Sequence, residues 1–191
     1  MTPRPTVGPP NDLSASPAER VRELGRLIGP DAVVDWCGDL LVRRVPYQSP
    51  ELPPLSWLGG LSAVALEARG YPEVDAYWPR VWAARGLLHG YDASAARSVV
   101  AALGDEAWRV REMAAKVVAR WEVGEAADAL VPLLADAVPR VRAAGVRALG
   151  VVGEGEHAEA LHEVTDDPEE AVRRAAGDAL DRLGVRLDRE L

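Results

Sequence analysis

The sequence predicts an all-α protein of about five helical hairpins stacked as a repeat array. Three observations carry that expectation. Asp105, Trp108, Arg109, Val110 and Arg111 return 31 residues later as Asp136, Pro139, Arg140, Val141 and Arg142, and 31 further on as Asp167, Glu170, Ala171, Val172 and Arg173. A fixed period of roughly 20–50 residues is the mark of stacked supersecondary units that share one continuous core. Apolar residues recur at helical spacing, and no segment sustains the two-residue alternation of a strand. The helical stretches are separated by regular breaks, at Gly104-Asp105, Gly124, Asp136, Gly153-Glu154-Gly155 and Asp166 to Pro168.

In chain order, residues 1–15 hold Pro3, Pro5, Pro9, Pro10 and Gly8 without an apolar period and read as a disordered arm. Ser16-Pro17-Ala18-Glu19 is a helix start, with Ser16 as N-cap and Glu19 closing a capping box. Val21, Leu24, Leu27 and Ile28 share one face, Gly29-Pro30 ends the helix, and Asp31 is expected to cap the next. The second helix carries Val33, Val34, Cys37, Leu40 and Leu41 as its stripe, so residues 16–45 form an N-terminal hairpin outside the 31-residue register. Pro46, Pro50, Pro53 and Pro54 make residues 46–56 a loop, either a flexible link or a packed insertion. Residues 57–191 are expected to be the repeat array. Its first copy is degenerate: Arg80 aligns with Arg111 and Arg85 with Lys116, but Val74 stands where later copies have aspartate.

Bulk composition narrows the function. The 191 residues are 48% hydrophobic with a net charge of −8, and residues 152–191 alone carry 5 basic and 12 acidic groups. A globally acidic chain lacks the positive footprint that nucleic acid requires. No apolar run approaches the ~18 residues of a membrane span, and the N-terminus has no secretory h-region, so a cytoplasmic location is expected. Cys37 is the single cysteine, which excludes an internal disulfide. Every basic residue but Lys116 is arginine and phenylalanine is absent, a bias of G- and C-rich bacterial genomes.

A two-helix unit with an aspartate in its turn and an arginine six residues later resembles a HEAT repeat, and the short period resembles the phycobilisome-lyase-type subclass. The resemblance covers about residues 72–184 and rests on Asp105 with Arg111, Asp136 with Arg142, and Asp167 with Arg173. It implies a right-handed α-solenoid, an armadillo-type α-α superhelix, with each copy's second helix lining a concave surface. It implies that those six residues form a structural ladder along the turns. Arginine suits the task, because its planar fork satisfies a carboxylate and turn carbonyls together.

Two sets of side chains are candidates for binding. At ~100° per residue, Arg109, Lys116 and Arg120 share a narrow arc of one helix. Arg140 and Arg147 repeat their positions one period on, and Arg85 lies one period back; the alternative is a solvated helix face tempered by Glu112 and Glu122. Trp78 and Trp82, one helical turn apart, are the second set, either interface anchors or core filling in a chain without phenylalanine. The reading that follows is a non-catalytic scaffold or adaptor that grips another protein, with an acidic or mixed surface, on its concave face.

The enzyme alternatives are metal-dependent, lyase-type or DNA-glycosylase-like chemistry on the same kind of repeat, or assistance to another enzyme. His157, His162 and Glu163, with Glu156 and Glu159 nearby, are the only donor cluster, and they form one His-Glu pair where the HEAT-like hydroxylases use several. No residue is assigned a catalytic role, and no cofactor or metal is expected. Gly59-Gly60 and Gly153-Glu154-Gly155 lack the Gly-Lys-Ser/Thr of a phosphate loop. Cys37 sits in an apolar stripe as a core thiol.

Overall fold

The computed structural model describes residues 7–188. Those residues are helical and contain no strand. They divide into two compact units, Met1–Ser98 and Val99–Leu191, with the division inside one helix.

The first unit contains α1 (Pro17–Ile28), α2 (Pro30–Leu41), the single turn α3 (Ser56–Gly59), α4 (Leu61–Ala68) and α5 (Trp78–Leu87). The Ser16 capping box forms as its sequence requires: the Ser16 side chain accepts from Glu19 N–H, and the Glu19 carboxylate accepts from Ser16 N–H. Gly29, at φ 93°, serves both as C-cap of α1 and N-cap of α2. Pro30 therefore starts α2, and Asp31 lies inside its first turn without capping it. A first helical position needs no N–H, so proline fits there. Leu27 departs from its expected face and is 54% exposed.

The domain boundary expected at residue 57 is not a structural one. α2 packs on α5, and α3 lies against α1 and α5, so the hairpin and the degenerate first copy share one core. Trp36, Trp57, Leu24, Leu40, Leu58 and Leu87 fill it. Residues 46–56 are a packed insertion. Tyr47 places its ring 6.3 Å from that of Tyr71 and its hydroxyl accepts from Arg80 Nη1 at 3.0 Å, while Leu55 is buried.

The disordered-arm expectation fails for residues 7–15, whereas residues 1–6 lie outside the described residues. Pro10 is buried, and the Gly8 carbonyl accepts the Trp57 indole N–H at 2.8 Å. The Leu13 and Ala15 carbonyls accept from Arg20. An indole and a guanidinium thus supply donors for backbone that forms no regular structure of its own.

The second unit repeats a simple pattern. A short first helix is flanked by 3₁₀ turns: α8 (Ala127–Leu130) by Gly124–Ala126 and Val131–Ala135, and α10 (Ala158–Glu163) by Gly155–His157 and Val164–Asp166. Pro132, which has no N–H for an α bond, helps end α8 after Leu130. The second helices are longer: α7 (Trp108–Trp121), α9 (Pro139–Val152) and α11 (Glu170–Leu187). α9 packs against both α7 and α11. α6 (Ala96–Ala102) spans the division between the units. Between α9 and α11 the backbones approach so closely that a Cβ at Gly150 would lie 2.6 Å from Ala179 Cβ. No helix among the described residues is long and apolar enough to cross a membrane.

Candidate functional site

The six turn residues form a repeated hydrogen-bonded joint. Each aspartate folds its own turn, Oδ1 accepting the N–H two residues on at 2.8 Å, from Ala107, Val138 and Glu169 in turn. Each arginine reaches back to the carbonyl of the aspartate six residues earlier. Arg111 Nη1 donates to Asp105 O at 2.8 Å, Arg142 Nη1 to Asp136 O at 2.9 Å and Arg173 Nη1 to Asp167 O at 2.7 Å.

The carboxylate partner is 25 residues ahead, in the following copy. Arg111 Nε donates to Asp136 Oδ2 at 2.7 Å. Arg142 grips Asp167 with both prongs, Nε to Oδ2 at 2.7 Å and Nη2 to Oδ1 at 2.9 Å. The expectation that Arg142 pairs with the carboxylate of Asp136 is therefore corrected: within its own copy it takes only the backbone oxygen. These bonds hold the Asp167 carboxyl below the usual carboxylate range and raise the Arg142 guanidinium above its own.

A family model of HEAT repeats matches residues 75–150 and 127–190, together more than half of the chain. The chain belongs to the HEAT-repeat family. Among solved structures, the crystal structure of an engineered protein is similar, with a TM-score of 0.57 at 19% identity over 89% of this chain and 85% of that one. That likeness concerns the fold alone. No curated protein matches the chain.

On the second helices of the HEAT repeats, the expected cationic strip is organised by Trp108, which belongs to the repeated set, and by Glu112, the carboxylate expected to temper it. Trp108, half-buried at the start of α7, carries Arg109 Cζ 4.3 Å and Arg140 Cζ 5.6 Å from its ring centroid. Both lie within the range of a cation–π contact. Glu112 is buried and accepts from Lys116 Nζ at 2.8 Å and from Arg140 Nε and Nη2 at 3.2 and 3.1 Å. Its position four residues before Lys116 was the available signal. Lys116 and Arg140 are thus partly neutralised. Arg120 lies over Trp121 at 5.0 Å.

Arg147 differs. It lines a groove of about 350 Å³ across α7, α9 and α11 with Ala119, Ala175, Ala179, Asp178 and Arg182. Among the described residues, neither Arg147 nor Arg182 bonds to a carboxylate.

The remaining candidates lie in the first unit. Arg85, expected at the head of the strip, is half-buried and donates through Nη2 to Leu58 O at 3.1 Å. Trp82, a candidate surface anchor, is only 3% exposed. In a chain without phenylalanine, tryptophan supplies the bulk that fills the core. Trp78 is half-buried and stacks on Trp82, the ring centroids 6.1 Å apart. All three residues line one cleft.

The histidine cluster does not converge. His157 is buried. Its Nδ1 accepts Glu154 N–H at 2.9 Å, which places the proton on Nε2, 3.2 Å from Asp128 Oδ1. Nδ1 caps its own turn, and Nε2 alone reaches the preceding copy. His162 is exposed, and among the described residues no three His, Cys, Asp or Glu side chains stand close enough to hold a metal ion.

Proposed function

We propose that this HEAT-repeat chain is a non-catalytic interaction module whose partner is a protein segment with acidic side chains, docked on the face of α7, α9 and α11. The observation that supports this most is the groove lined by Ala119, Ala175, Ala179, Arg147 and Arg182. Alanines let a partner's backbone approach closely, and guanidiniums without a carboxylate of their own are ready to pair bidentately with the partner's. The strip on these helices has six cations, Arg109, Lys116, Arg120, Arg140, Arg147 and Arg182, against the two carboxylates Glu112 and Asp178. That local excess is positive on a chain of net charge −8. HEAT repeats serve widely as protein-binding surfaces, and family membership supports the same reading.

The test is the double substitution Arg147→Glu with Arg182→Glu. Both residues are exposed, so the melting temperature should stay nearly constant, surface changes of this kind costing about 0.5 kcal/mol or less. Affinity capture from the native cell extract should lose the partner. Equal capture by variant and wild type would remove this face from consideration.

A further inference from the structure

The cleft of the first unit is built differently from the groove of the second. It is about 560 Å³, within the ~300–1,000 Å³ range of small-molecule sites. Trp78, backed by the buried Trp82 on which it stacks, supplies an aromatic wall. Gly59 fixes that wall, since a Cβ there would stand 2.8 Å from the Trp82 ring carbons.

Two guanidiniums converge at the same cleft. Arg20 Nη2 and Arg85 Nη2 both donate to the single carbonyl oxygen of Leu58, at 3.3 and 3.1 Å. Among the described residues, neither bonds to a carboxylate. Burial, and then the charge of Arg20, press the Arg85 guanidinium below its usual range. Arg69, which also lines the cleft, is already paired with Asp75 at 2.7 Å. The positive charge without a bonded carboxylate therefore belongs to Arg20, which has Asp12 in its neighbourhood, and to Arg85.

Their donors are not equivalent. Arg20 spends Nε, Nη1 and Nη2 on the carbonyls of Trp57, Leu13, Ala15 and Leu58. Arg85 makes one bond, and its buried Nε has no partner. Arg20 thus contributes charge, while Arg85 contributes charge and an incomplete fork. One fork matches the two oxygens of a planar carboxylate, whereas a phosphate dianion calls for donors on more sides.

We propose that this cleft binds a small aromatic carboxylate, with its ring against Trp78 and its carboxylate on Arg85. The site lies wholly in the first unit and does not depend on the docking face of the second.

Calorimetric titration of the full chain with 1-naphthoate, 1-naphthamide and inorganic phosphate tests it. Naphthoate should bind one to one, and the neutral amide and phosphate each roughly tenfold more weakly or worse. Ala65→Glu puts a carboxylate on an exposed position of α4 that lines the cleft and should weaken naphthoate by a similar factor. Arg85→Gln should do the same; if that variant unfolds by circular dichroism, the α4 substitution carries the test. The proposal is overturned by no heat of binding, by equal affinity for the amide or phosphate, or by unchanged binding in Ala65→Glu.

Discussion

Replacing Arg142 by alanine removes three hydrogen bonds at once, two to the Asp167 carboxylate and one to the Asp136 carbonyl. The side chains are only 12% and 6% exposed, so water cannot readily replace the lost partner. Breaking a buried pair by removing one member costs about 3–5 kcal/mol. Asp167 keeps the Glu169 N–H, which favours the lower end, about 3 kcal/mol. For a chain of this size that lowers the melting temperature by about 6–12 °C.

Arg173→Ala is the internal control. That arginine is exposed and donates to the carbonyls of Asp167 and Pro168, so its loss should cost about 1 kcal/mol or less. Urea denaturation followed by far-UV circular dichroism measures both. The folded Asp167 carboxyl is depressed, so its contribution is present above its unfolded pKa and lost as pH falls through the folded value. Arg142 stays charged throughout. The gap between wild type and Arg142→Ala should therefore narrow below about pH 4. If Arg142→Ala costs no more than Arg173→Ala, the inter-copy bond is not what holds the joint.

Two other features give direct expectations. Gly150→Ala forces a methyl into Ala179 and should destabilise by about 1–3 kcal/mol, whereas a Cβ at Gly177 meets nothing within 4 Å, so Gly177→Ala should stabilise by about 0.5–1 kcal/mol. Thermal melts of the two variants should move in opposite directions. The Cys37 thiol is buried and pushed up to about 12 by desolvation. Native protein should leave a disulfide reagent such as DTNB unreacted, while urea-unfolded protein releases one equivalent; fast reaction of the native state would contradict that burial.

What the sequence could reveal depended on how regularly a contact recurs along the chain. Asp105, Asp136 and Asp167, with the arginines six residues later, stand out because every copy needs the same turn. Which carboxylate each arginine grips was hidden, because separations of 6 and 25 residues repeat with the same period. Arg20 left only a faint trace: it falls on the stripe of Leu24, where an arginine must find carbonyls if buried. Its partners lie in irregular segments around Leu13, Ala15 and Trp57, and irregular segments carry no period to read. The cleft was missed for the same reason. Arg85 aligned with Lys116 by register, yet its surroundings are the packed hairpin and loop rather than a neighbouring copy.

The joint between copies has a consequence for how such a chain can change length. The arginine of one copy binds the aspartate of the next through the same Nε–Oδ2 bond in both places, Arg111 to Asp136 and Arg142 to Asp167, with a second prong added at Arg142. Nothing in that bond distinguishes one copy from another. A duplicated or deleted block of 31 residues would leave every arginine facing an aspartate, whereas a block one residue longer or shorter would shift the helix face on which the arginine sits. Copies are interchangeable parts at their turns, free to differ on the helix faces that the turns do not use.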